Sequence, residues 1–142
     1  MRRLNSIVDD PYLNDDLCVD RLVKNWKLHN GIIIAFDFDN TVFDYYEKGY
    51  TYTKVIRLLK ECKSMGCTLV LSTCCDESKF EFMRSRCKDI GIEIDYINES
   101  PPHIPFTGNK VYYNIMLDDR AGLSAAYNIL YKTKEIIRNE TF

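Results

Sequence analysis

The 142-residue sequence lacks any apolar run approaching the roughly 20 residues of a membrane span, so no transmembrane segment is expected. It also lacks an excess of positive charge. Nineteen Lys and Arg against 21 Asp and Glu leave a net charge of −2, which argues against a protein held by charge to duplex DNA or an anionic membrane. A small phosphorylated ligand in a local pocket stays open. There is no CxxC pair: Cys18, Cys62, Cys67, Cys74, Cys75 and Cys87 are scattered, with only His29 and His103 beside them. Structural zinc sites need closely spaced ligand pairs, so none is expected. The opening stretch MRRLNSIVDDPYLNDD starts basic but has no long apolar core and soon turns acidic, unlike a secretory signal. Reduced thiols and a cytoplasmic location are therefore the expectation. No internal repeat or low-complexity tract breaks the chain.

What is present is an ordinary globular balance, 46% hydrophobic and 28% charged, which excludes a disordered chain. The length suits one domain with a single core. Residues 1–30 read as an N-terminal arm plus a helix, and 31–142 as the core. The arm, residues 1 to 13, is polar and broken by Pro11. The helix, 14–28, repeats Leu17, Cys18, Leu22, Val23 and Trp26 at helical spacing, with Asn14 or Asp15 as cap and Gly31 just past its end. Trp26 reads as a packing residue, with a substrate contact as the minority reading.

Five consecutive apolar residues from Ile32 to Phe36 predict a strand buried on both faces, as in a parallel sheet covered by helices. It ends in two carboxylates, Asp37 and Asp39, with Thr41 two residues on. Unpaired charge at the end of a buried strand is costly, and the carboxyl ends of parallel strands are where ligands bind. A tyrosine-rich excursion follows (Tyr45, Tyr46, Tyr50, Tyr52), turning at Gly49. A helix is expected over 53–65, its inner face Val55, Ile56, Leu58, Leu59 and Cys62. Thr68 to Thr73 is a second buried strand. A helix capped by Asp76 or Ser78 then carries Phe80, Phe82, Met83 and Cys87 and stops at Gly91. Ile92 to Ile97 predicts a shorter third strand nearer the sheet edge, and three prolines make 98–108 a loop. Tyr112 to Leu117 predicts a fourth strand ending in Asp118 and Asp119, and 122–137 an amphipathic helix facing inward through Leu123, Ala126, Ile129, Leu130 and Ile136. Strands alternating with helices give a Rossmann-like α/β three-layer sandwich with a central parallel sheet.

Three of these strands end in polar residues, Asp37 and Asp39, Ser72 and Thr73, Asp118 and Asp119, and in a parallel sheet those ends share one edge. Four clustered acids repel each other, so a proton or a cation must intervene. Hard oxygen ligands with room for water suit Mg²⁺ better than zinc. With hydroxyls and Lys110 nearby, such a site is equipped to bind a phosphoryl group, which a carboxylate can attack to form an aspartyl-phosphate. Taken singly these features are bland: an isolated DxD is usually a turn or cap, and a lone Lys is usually surface. Their order and their placement at strand ends carry the reading.

FDFDNTV (Phe36 to Val42), LVLST (Leu69 to Thr73), Lys110 and IMLDDR (Ile115 to Arg120) resemble, in order, the four motifs of the haloacid dehalogenase superfamily. The first and fourth are the specific ones. The resemblance implies a Rossmann-like fold and Mg²⁺-dependent phosphoryl transfer. It implies Asp37 as nucleophile and Asp39 as the acid and base that serves the leaving group and then water. Thr73 would bind the phosphoryl group with Cys74 and Asn40 alongside, and Lys110 would steady its charge. The metal set implied is Asp37, the main-chain carbonyl of Asp39, and Asp118, with Asp119 supporting. The stretches around Thr73 leave no room for a cap domain, so the chain resembles the capless members, whose site is open or closed by a partner subunit.

The expected activity is hydrolysis of a small nucleotide or sugar phosphate. The rivals are a polynucleotide 3′-phosphatase, which the charge balance disfavours, a phosphotransferase, and a non-catalytic binding module that keeps the fold. The four tyrosines either stack on a base or sugar or simply cover a small capless domain. Pro101, Pro102 and His103 are candidates to border the pocket, His103 reading as a surface residue first. Cys74 and Cys75 read as small packing residues before redox-active ones.

Overall fold

In the computed structural model, which describes residues 9–141, the chain is built outward from β1 (Ile33–Asp37). Ile34, Ala35 and Phe36 are wholly buried, because β1 lies between two parallel neighbours and is covered on both faces. The order of elements is α1 (Asp15–His29), β1, α2 (Thr53–Ser64), β2 (Thr68–Ser72), α3 (Phe80–Asp89), β3 (Tyr96–Ile97), β4 (Ile115–Leu117) and α4 (Leu123–Thr141). The four parallel strands lie in the order β3-β2-β1-β4. Helices flank the sheet in the expected α/β three-layer arrangement. The residues expected to form the start of an arm, 1–8, lie outside the described residues, and Pro11–Leu13 form a short 3₁₀ turn.

Topology places the site. The chain leaves β1 towards β2 and β3, then returns through the loop 98–114 to set β4 on the other side of β1. The switch in direction therefore falls between β1 and β4, where open parallel sheets form a crevice beyond their carboxyl ends. Register does the rest: Asp37 pairs with Ser72, and Phe36 pairs with Leu117, so Asp118 emerges beside Asp37.

At the opposite edge the backbones are close. A Cβ on Gly31 would collide with the carbonyl oxygen of Gly66, and both residues have positive φ. The αL residue that ends α1 is Asn30 (φ 57°), one position before the expected glycine, and the Asn14 side chain caps the start by accepting from Leu17 N–H. Trp26 is buried in the core with Leu22, Ile32 and Leu59, in line with packing.

Two strands are shorter than expected, for a shared reason. Over 92–94 the chain does not join the sheet: Ile92 N–H turns back to the Cys87 carbonyl at the end of α3, and the first backbone bond to β2 is Asp95 N–H to the Leu69 carbonyl (2.9 Å). The Asp95 carboxylate then takes Leu69 N–H (2.8 Å) and Lys63 Nζ (2.6 Å), which delays regular pairing until Tyr96. Likewise the Asn114 side chain accepts from Ile33 N–H (2.7 Å) in place of a backbone carbonyl, so β4 starts at Ile115 rather than Tyr112.

The face of α4 also differs. Ile137, not Ile136, packs inward, in a row with Ile129, Leu130, Thr133 and Lys134, while Ile136 stays exposed. Lys134 is fully buried there because its ammonium meets Glu61 (3.3 Å) and Glu135 (2.8 Å). In α3, Phe82 is exposed and only Met83 and Cys87 are buried. All six cysteines are free thiols. Among the described residues no helix is long and apolar enough to cross a membrane.

Candidate functional site

Beyond the carboxyl end of β1 the chain folds into a tight turn. The amides of Thr41, Val42 and Phe43 all point at the Phe38 carbonyl, and Asn40 N–H donates to the Phe43 carbonyl (2.7 Å) with Asn40 in the left-handed region (φ 61°). This turn buries the Thr41 side chain completely. Its hydroxyl accepts from Asp119 N–H (3.1 Å) and donates to the Asp119 carboxylate (3.4 Å), tying the turn after β1 to the end of β4.

The result is a cluster of three acids. One carboxylate oxygen from each of Asp37, Asp118 and Asp119 lies within 4.8 Å of the other two. Asp37 and Asp118 are half-buried and Asp119 is exposed. Asp118 is oriented by Arg120 N–H (2.8 Å). Among the described residues, no lysine or arginine forms an ion pair with any of these acids or with Asp39. The electrostatic consequence is large. Burial, a hydrogen bond to Asp119 and the charge of Asp118 raise the Asp37 carboxyl to about 7. Asp39 is raised as well, by burial and then by the charge of Asp119. Its carboxylate is not one of the three clustered groups.

The other expected residues fall as follows. Thr73 follows β2 and is clamped by Asn98, whose amide accepts from Thr73 N–H and donates to the Thr73 carbonyl, both at 2.8 Å. The Thr73 hydroxyl accepts from Cys75 N–H (3.0 Å), which leaves its own proton available to donate. Cys74 is exposed in this turn and Cys75 half-buried. Lys110 lies exposed on the loop 98–114, its ammonium 5.8 Å from the centre of the Tyr113 ring and paired with no carboxylate. His103 is far from the acids. It lines a cleft of about 420 Å³ with Gly31, Ile33 and Thr68, at the amino-terminal edge of the sheet. The five residues of β1 separate the two edges, roughly 13 Å at a strand's rise of about 3.3 Å per residue.

Sequence reading gave Thr41 no part in the site and did not single out Asn98. Thr41 carried a readable signal, a small hydroxyl inside a turn that follows a DxD. Asn98 carried none, since its φ of 54° and its clamp on Thr73 depend on where the third strand ends.

The three acids can hold a divalent ion. They are hard oxygen donors, close enough to share one ion, and an elevated Asp37 pKa is what a carboxylate cluster shows when a proton substitutes for a cation. The donor set therefore fits magnesium, with the Asp119 side chain placed among the donors where sequence reading had it only supporting.

An α/β protein with an acidic rim at its topological switch point is the class these features define. Neither a protein-family model nor a curated protein matches the chain. Among solved structures it is similar to a conserved protein from Bacteroides thetaiotaomicron, with a TM-score of 0.59 and 25% identity over 78% of this chain and 93% of that one. That protein is described only as conserved, so the likeness bears on the fold.

Proposed function

We propose that the chain is a Mg²⁺-dependent phosphomonoester hydrolase acting through an aspartyl-phosphate on a small nucleotide or sugar phosphate, in a reducing, cytoplasmic setting. One observation carries the reading: three carboxyl groups from the ends of two adjacent strands converge, with no basic ion-pair partner among the described residues. The resemblance of the surrounding motifs to the haloacid dehalogenase superfamily supports it.

In this reading the Asp37 carboxylate attacks phosphorus as the ester P–O bond breaks, and Asp39 delivers its proton to the departing oxygen. Water then attacks the phosphorus of the aspartyl-phosphate while Asp39 takes its proton. The bond to Asp37 breaks, releasing phosphate and restoring the free carboxylate. The Thr73 hydroxyl donates to the phosphoryl group, flanked by Cys74 and Asn40. Asp37, Asp118 and Asp119 would hold the ion, together with the Asp39 carbonyl that the resemblance implies. Bound there, magnesium neutralises charge on the phosphoryl oxygens. The part of Lys110 rests on the resemblance alone, since its ammonium sits by Tyr113. With no cap, a second copy of the chain is one means of closing the site.

The test is release of phosphate from an aryl phosphate and from a panel of phosphorylated metabolites, with and without Mg²⁺. Magnesium-dependent release that Asp37→Asn abolishes without changing the circular dichroism supports the reading. No release from any substrate, or full activity in Asp37→Asn, overturns it and leaves the fold as a binding module.

A further inference from the structure

Asp37 and Ser72 are register partners on neighbouring parallel strands, which lie about 4.8 Å apart. Thr73, the next residue, therefore emerges at the carboxyl edge on the strand beside Asp37. Asn98 holds it there. This residue follows the end of β3, whose Ile97 pairs with Leu71. Its N–H donates to the Leu71 carbonyl, its side-chain oxygen accepts from Thr73 N–H, and its side-chain nitrogen donates to the Thr73 carbonyl, each at 2.8 Å. One residue thus grips the chain on both sides of Ser72, the partner of Asp37. The backbone of Asn98 is left-handed (φ 54°), a conformation that glycine, asparagine and aspartate adopt most readily. The clamp is not a device for burial. Asn98 is exposed, so water can serve the same backbone groups once the side chain is removed, and the fold loses little. Water cannot fix both peptide groups of Thr73 in one orientation. With those groups fixed, and with Cys75 N–H occupying a lone pair of the Thr73 hydroxyl (3.0 Å), the hydroxyl is held as a donor.

We infer that Asn98 is a positioning residue for the phosphoryl site: by clamping both peptide groups of Thr73, it holds the Thr73 hydroxyl ready to donate to a tetrahedral oxyanion bound beside Asp37. The inference rests on the reading of the acidic rim as a phosphoryl site, and it adds the residue that orders the hydroxyl donor before the anion arrives. A donor fixed in advance loses less freedom on binding. Anion affinity, rather than stability, is therefore the property that depends on Asn98, and the dependence runs through Thr73.

The experiment titrates tungstate, an inert tetrahedral oxyanion, into the full chain in Mg²⁺ by calorimetry. Asn98→Gly keeps the left-handed backbone and the N–H that meets Leu71 while deleting the clamp, and it should weaken tungstate binding by at least about fivefold. Thr73→Val, which removes the hydroxyl, should weaken it by about ten- to a hundredfold, as for a lost hydrogen bond to a charged group. The two losses should not add. Asn98→Gly should change tungstate affinity by less than about twofold in a Thr73→Val chain, and should keep its full effect in Thr73→Ser, where the hydroxyl remains. Mg²⁺ affinity, set by acids that follow β1 and β4, should stay within about twofold in every variant. Asn98→Ala supplies the same comparisons should Asn98→Gly fold poorly. Additive losses, an Asn98→Gly chain that binds tungstate normally, a parallel fall in Mg²⁺ affinity, or no tungstate binding to the unsubstituted chain overturns the inference. If the coupled loss is found but no phosphate ester is turned over, the hydrolase reading falls and Asn98 stands as the support of an oxyanion site. Turnover with a tungstate affinity indifferent to Asn98 gives the reverse.

Discussion

The molecule gathers charge in two places and treats it in opposite ways. Between α2 and α4, Lys134 is buried, yet it meets Glu61 and Glu135, and Arg138 reaches the same two carboxylates. At the sheet rim, Asp37, Asp118 and Asp119 crowd together, and among the described residues no lysine or arginine is ion-paired with them. The first arrangement completes itself, since opposite charges offset the cost of removing them from water. The second has no such pairing among the described residues, so a proton or a cation must offset its charge. The protonation of the two regions shows the same contrast. At Glu61, burial alone would raise the pKa, but Lys134 and Arg138 outweigh it and the net effect is a lowering. At Asp37, burial, Asp119 and Asp118 all push upward, to about 7. The paired seam and the unpaired acidic rim thus differ in which way their carboxyl groups move.

The comparison breaks most visibly at Asp37. Asp37→Asn should lower phosphate release by about a thousandfold or more, as expected for loss of a nucleophile, while the metal-free protein keeps or gains thermal stability near neutral pH. A fall in Tm would mean that the rim is structural after all. Next in size is Lys134→Ala, which removes a buried stem and leaves Glu61 with Arg138 alone. It should cost about 2–4 kcal/mol, measured by urea unfolding, with little effect on catalysis. Thr41→Val should cost about 1–3 kcal/mol by leaving Asp119 N–H unpaired, and it should weaken Mg²⁺ binding measured by calorimetry as β4 loosens from the turn.

The pH dependence has opposite signs in the two regions. A carboxyl whose pKa is raised by folding contributes stability that is full below its unfolded value, near 3.8 for Asp37, and is lost as pH rises through about 7. Metal-free protein should therefore lose this contribution to Tm between about pH 4 and 7, and Asp37→Asn or added Mg²⁺ should flatten that slope. Glu61, lowered from 4.5, contributes above that value and loses its contribution as the pH falls below it, so Glu61→Gln should flatten only the acid limb. The smallest effect belongs to the exposed pair Lys27–Glu140 (2.6 Å): Lys27→Ala should change stability by less than about 1 kcal/mol.

How much was readable follows from where each signal resides. Ile33 to Phe36 and Leu69 to Leu71 could be recognised as central strands because burial on both faces demands unbroken apolar residues. The acids after β1 and β4 could be grouped because parallel strands put their carboxyl ends on one edge. Asp95 and Asn114 could not be foreseen as strand delimiters, since each uses its side chain to take an amide that a backbone carbonyl would otherwise hold. Lys134 broke the expected face of α4 because a buried lysine is tolerable only beside acids, here including Glu61 from α2, far away in the sequence. His103 is exposed, as its first reading as a surface residue had it, but its loop lies at the amino-terminal edge rather than bordering the acids, because nothing in a proline-rich loop encodes which way it crosses the sheet.

By itself, the order of residues determined the alternation of strands and helices, the buried centre of the sheet and the candidates for chemistry, all through local hydrophobic periodicity and strand-end polarity. Only the tertiary structure decided that Asp119 joins Asp37 and Asp118, and that Thr41 and Asn98 hold the turns after β1 and β2. These depend on register and loop path, and both are settled by contacts between segments that lie far apart in the chain.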